Sequence, residues 1–214
     1  MAAAPQTKRS RYSVEEYLAI ERATDERHEY VDGQIRAMAG ESPAHGTLSV
    51  NLIGELFPQL KRTPCLVWTK DCKVRSGPIP AAGHSTKGLY SYPDLVIVCG
   101  QPAFHDEHQD VLVNPKIIIE VLSASTENFD ANEKLRRYQT WNPTLTDYLL
   151  VAQTEVVVYH YVRQADGGWS YYTYQDLTER IEIKSVGCVL SLQDVYDRIS
   201  FSDETETTPD QDLK

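Results

Sequence analysis

The sequence predicts an α/β fold, a mixed β-sheet with a mainly antiparallel central part flanked by α-helices. Three observations carry that prediction. Tyr92–Cys99 and Lys116–Leu122 are short runs that are apolar on both faces, as central strands are. Ser13-Val-Glu-Glu16 is a capping box and Ser42-Pro43 places a proline at a helix start. The stretch after Tyr148 is rich in β-branched and aromatic residues.

Taken in order, a helix is expected over Val14–Thr24. Asp32-Gly33, between apolar residues, signals a hairpin. After Ser42-Pro43, Leu48, Leu52, Ile53, Leu56 and Leu60 form one apolar stripe, and Pro58 should kink or end that helix. Cys65–Thr69 and Cys72–Arg75 read as strands, and residues 76–89 as a loop rich in Gly, Pro, Ala and Ser. Asp130 with Glu133 resembles another capping start, for a helix to Trp141 that Asn142-Pro143 ends. Strands follow at Tyr148–Ala152, Val156–Val162, Trp169–Tyr174, Ile181–Lys184 and Cys188–Leu190, then a helix over Leu192–Ile199 capped by Ser191. Five tyrosines, at 159, 161, 171, 172 and 174, read as cross-strand pairs in a sheet.

Composition bounds the function. With 214 residues, one domain is expected over 12–200, with a disordered arm at 1–11 and an acidic tail at 201–214. No apolar run approaches the ~20 residues of a membrane helix, and the N-terminal stretch has no apolar core of a signal peptide. A cytoplasmic protein is expected, with its four cysteines free in a reducing compartment. The net charge of −10 argues against strong non-specific nucleic-acid binding. Any such contact needs a local patch, and Lys61, Arg62, Lys70, Lys73 and Arg75 supply a candidate whose plainer reading is a solvated strand face. His105 and His108 fall in a polar loop, and His45 stands at the start of the second helix, from which it could approach the acidic residues below, but no site role is assigned to it. No Gly-rich phosphate loop or nucleophile elbow is present in the sequence.

Two carboxylates sit where carboxylates are expensive. Asp94 opens Leu95-Val-Ile-Val98, and Glu120 lies inside Ile117-Ile-Ile-Glu-Val-Leu122. A charge in such a run must be paired, protonated or bound to a metal. If the two strands are antiparallel neighbours, the acids meet, repel, and push one pKa upward. A divalent cation removes the conflict, and carboxylate ligands suit Mg²⁺ or Mn²⁺.

Pro93-Asp94, Glu120-Val-Leu-Ser123 and Asn132-Glu-Lys134-Leu-Arg-Arg-Tyr138 together resemble the Uma-type putative restriction endonuclease family, of the PD-(D/E)XK nuclease superfamily. Glu29-Tyr-Val-Asp-Gly33 and Asp147-Tyr-Leu-Leu-Val151 extend the resemblance from Tyr12 to about Arg198. It implies a restriction-endonuclease-like core and metal-assisted hydrolysis of DNA, with Asp94, Glu120 and a backbone carbonyl near Val121 as metal ligands. The superfamily's lysine would stand at Leu122; the resemblance implies that Lys134, one turn into the following helix, takes its place. It assigns Glu29 to a second metal or a metal-bound water, and it implies a homodimer. The alternative is a catalytically inactive module that keeps the fold for nucleic-acid binding or assembly.

Overall fold

The computed structural model describes residues 11–38, 40–78, 85–123 and 129–201. Most of the expected arm and tail, at 1–11 and 201–214, lies outside them.

Helix α1 (Val14–Glu21) starts on its capping box: the Glu16 N–H donates to Ser13 Oγ at 3.2 Å, and the Ser13 N–H to Glu16 Oε2 at 2.9 Å. It ends earlier than expected, and its buried Tyr17 stacks on Tyr30 with ring centres 5.0 Å apart. Strands β1 (His28–Val31) and β2 (Gln34–Ala37) form the hairpin. Asp32 and Gly33 turn it with φ of 45° and 93°, the left-handed pair that such a two-residue turn requires.

Helix α2 (Pro43–Leu60) buries Leu48, Leu52, Leu56 and Leu60 as one stripe. Contrary to expectation, the helix runs through Pro58. That residue lies in the last turn, so the bond lost with its missing N–H, to the carbonyl four residues earlier, falls at the end of the helix, which stops two residues later.

The single expected sheet is divided. Strands β3 (Cys65–Thr69), β6 (Leu95–Cys99), β8 (Ile117–Leu122), β9 (Asp147–Ala152), β10 (Val158–Arg163) and β11 (Trp169–Tyr174) form a six-stranded sheet in the order β11-β10-β9-β8-β6-β3. All its pairs are antiparallel except β8 with β9. A five-stranded sheet, β2-β1-β5-β4-β7, uses β4 (Lys73–Ser76) and two strands that the sequence does not announce, β5 (Leu89–Ser91) and β7 (Val111–Leu112). Both are too short to show a period. The expected strand from Tyr92 therefore starts at Leu95, and Tyr92-Pro93-Asp94 carries the chain from one sheet to the other. A two-stranded ribbon, β12 (Arg180–Ile183) with β13 (Cys188–Ser191), completes the strands.

The β8–β9 crossover contains a π-helical segment, Phe129–Lys134, followed by α3 (Leu135–Trp141). The last helix, α4, spans only Leu192–Val195, and Ser191 makes no side-chain cap. On β8, Ile117, Ile119 and Val121 pack with α2 and β12–β13, while Ile118 and Leu122 pack with α3. The period of two puts Glu120 on the α3 side.

Two further corrections follow from register. Cys65 and Cys99 stand directly opposite on β3 and β6 and form a disulfide, so only Cys72 and Cys188 are free. The proposed basic patch is dispersed: Lys73 is buried against Asp110 at 3.2 Å, Lys70 pairs with Glu41, and Arg75 faces His105.

Candidate active site

Antiparallel pairing of Leu95 with Ile119 places Asp94, one residue before β6, beside Glu120. Asp94 Oδ2 accepts from the Val121 N–H at 2.7 Å, so backbone geometry fixes the carboxylate at the end of β8. Its Oδ1 meets His45 Nε2 at 2.7 Å. His45 is held in place by the first turn of α2, whose cap Ser42 accepts from the His45 N–H. Burial works against a charged imidazole there, but the hydrogen bond and charge of Asp94 win, and the His45 pKa is raised. Donor atoms of Glu41, His45 and Asp94 lie within 4.8 Å of one another, close enough to share one cation.

Glu120 is 3% exposed and Lys134 4%. Lys134 Nζ lies 3.5 Å from Glu120 Oε1, 2.8 Å from Glu29 Oε1 and 2.8 Å from Asp130 Oδ1. Asp130 Oδ1 makes no directed hydrogen bond, so that last contact is an ion pair alone. Three carboxylates thus surround one ammonium. Burial, reinforced by Asp130, Asp94 and Glu29 and opposed by Lys134, raises the Glu120 pKa well above its ordinary 4.5. Burial works against the Lys134 charge as well, but the carboxylates of Glu120, Glu29 and Asp130 outweigh it, and the amine stays protonated well above its ordinary range.

These groups line an open cavity of about 420 Å³, together with Val121 and Arg36. The Arg36 guanidinium lies 5.2 Å from the Phe129 ring centre at the cavity wall.

Asp94, Glu120, Val121, Lys134 and Glu29, named from the sequence, are all brought to this one cavity. Glu29 reaches it from strand β1. Asp130 is the residue the sequence reading misassigned. It does not cap the helix. The π-helical turn directs its carboxylate inward to Lys134, and the i,i+4 spacing of the two was the available signal. Glu41 and Arg36 carried no signal in the sequence, since each stands in a polar stretch.

A model of the Uma2 family, described as putative restriction endonuclease, matches residues 14–193. The chain belongs to the Uma2 family. Among curated proteins it is similar to the uncharacterized Synechocystis protein slr1290, with 35% identity over 94% of this chain and 100% of that one. The uncharacterized Synechocystis protein sll1609 is 32% identical over 72% of this chain and 82% of its own length. A crystal structure of a putative nuclease belonging to DUF820 from Anabaena variabilis superposes with a TM-score of 0.66, covering 86% of this chain and 97% of that one at 15% identity. At that identity the match shows a shared fold. Among the described residues no helix is long and apolar enough to cross a membrane.

Proposed function

We propose that this Uma2 chain is a divalent-metal-dependent endonuclease that hydrolyses phosphodiester bonds of DNA in the cytoplasm, as a homodimer. The observation that carries the reading is the imbalance at the cavity wall: two buried carboxylates, Glu120 and Asp130, and the half-buried Glu29 share one lysine, with Asp94 and its histidine alongside. A cluster of like charges with water access is stabilised by a cation. The donor set fits one. Asp94, Glu120 and the Val121 carbonyl would hold Mg²⁺ or Mn²⁺. Such an ion, when bound, polarises a phosphate oxygen and lowers the pKa of a coordinated water.

The chain's own groups do the rest. Lys134, kept protonated by its carboxylates, presents a fixed positive charge that offsets charge developing on the phosphate. Glu29 and Asp130 position that ammonium, because each holds it at 2.8 Å. His45 and the Val121 N–H between them fix the orientation of the Asp94 carboxylate. Arg36 offers a planar donor pair to a neighbouring phosphate of the strand.

The test is cleavage of plasmid and single-stranded DNA with Mg²⁺ or Mn²⁺, with Glu120→Ala beside the wild type. Metal-dependent cleavage that falls by at least about 100-fold in Glu120→Ala is expected, the upper end of what loss of a supporting partner costs a metal site. Absence of cleavage with both metals on both substrates would favour the non-catalytic module.

A further inference from the structure

Strand β11 ends the six-stranded sheet. On one side it pairs with β10 in unbroken register from Arg163↔Trp169 to Val158↔Tyr174. On the other side, among the described residues, no strand follows, and its N–H and C=O groups face outward. Natural sheets blunt such an edge with a charged side chain, a proline, a bulge or a covering element. Trp169-Ser-Tyr-Tyr-Thr-Tyr174 has neither charge nor proline, and the even register leaves no bulge. The opposite edge, β3, is a residue shorter, packs on α2, and is bracketed by Lys61, Arg62, Lys70 and Asp71.

The β11 edge is also prepared for a partner. Tyr171 and Tyr172, on opposite faces, are 53% and 49% exposed. Tyr171 stacks on Tyr159 with ring centres at 6.0 Å and meets Tyr161 at a tilt at 5.0 Å, and Tyr161 continues to the buried Tyr148 at 6.4 Å. A braced aromatic row loses little side-chain entropy when covered. Charge decides what covers it. A nucleic-acid strand would need cations, but Arg163, the one basic residue of these two strands, is committed to the carbonyls of Leu145, Gln139 and Asn142 and lies over Trp169. In a chain of net charge −10, an uncharged strand is where two copies approach without opposing like charges.

We infer that β11 is a homodimer interface, pairing antiparallel with β11 of a second copy so that two six-stranded sheets become continuous. A two-fold axis normal to the sheet keeps each face on its own side. Residues opposite one another then have positions summing to an even number; a joint centred on Tyr171 would set Asp166 against Asp176 of the copy, so the joint centres on Tyr172 facing its copy. The interface gives the homodimer of the proposed function its surface and rests on that part of the reading alone; it is three strands away from Glu120, and a monomer would leave the cleavage test untouched.

Sedimentation equilibrium of the full chain at micromolar concentration tests it. The expected mass is twice the 24.2 kDa of one chain, falling to one chain in the Tyr171→Lys, Tyr172→Lys double variant with circular dichroism unchanged. Amide exchange of the wild type gives a check that needs no variant: exchange over Trp169–Tyr174 slows as concentration rises. A wild type that stays monomeric, a dimer that survives the double variant, or exchange at β11 that ignores concentration overturns the proposal. A monomer whose tyrosine fluorescence is quenched by oligothymidylate overturns it in favour of a nucleic-acid strand.

Discussion

Glu120 and Asp147 are both buried on the six-stranded sheet, on adjacent strands, yet their surroundings have opposite character. Asp147 opens β9 and faces the β12–β13 side. Its Oδ1 meets His160 Nε2 at 2.8 Å and its Oδ2 accepts from Ser185 Oγ. Burial opposes its charge, but those hydrogen bonds win and its pKa is lowered. Glu120, near the far end of β8 on the α3 side, shares its lysine with two other carboxylates, and its pKa is raised. The first acid is satisfied and closed; the second is left in excess at the wall of a cavity. A buried carboxylate is evidence of function only when its partners leave it short of charge, and the two sites of this one sheet separate the cases.

The sharpest way to break the comparison is to remove a cation. Lys134→Met leaves three carboxylates without their ammonium, and we expect a loss of about 3–5 kcal/mol in chemical denaturation. Millimolar Mn²⁺ should return part of that loss. Failure of Mn²⁺ to restore any stability would mean that the carboxylates do not act as a cation site.

Asp147→Asn is expected to cost about 1.5–3 kcal/mol, the worth of hydrogen bonds to a charged acceptor, with no restoration by Mn²⁺. Its pH dependence has a definite sign. Because the folded pKa is depressed, the contribution of Asp147 is present in full above the ordinary carboxyl value of 3.8 and is lost as pH falls through the lower folded value. The difference in stability between wild type and Asp147→Asn should therefore shrink only at the acid end of a urea-unfolding series. A difference that persists unchanged there would show that packing, and not the carboxylate's charge, is what the asparagine disturbs.

Much of the site was legible because its residues break a pattern. Asp94 and Glu120 interrupt apolar strand runs, and strand pairing then brings them together. Asp130 was not legible as a site residue, since Asp130 with Glu133 imitates a helix cap and nothing in the sequence announces a π-helical turn. The contact of His45 with Asp94 depends on how α2 lies against the end of the sheet, which no local pattern encodes. The same holds for the disulfide: Cys65 and Cys99 are 34 positions apart and become partners only through the β3–β6 register. The helix starts at Ser13 and Ser42 and the turn at Asp32-Gly33 were readable because capping and turn chemistry are local. Strands β5 and β7 and the division into two large sheets were not, being set by tertiary pairing.

The central claim is that the excess carboxylates at Glu120 form a divalent-cation site. Thermal unfolding of wild type and Glu120→Gln, each with and without Mn²⁺, tests it most directly. Without metal, Glu120→Gln should melt above the wild type, because the substitution removes a repelled buried charge. With Mn²⁺, the wild-type midpoint should rise while that of the variant stays. A wild type unmoved by Mn²⁺, or an equal rise in both proteins, would contradict the account.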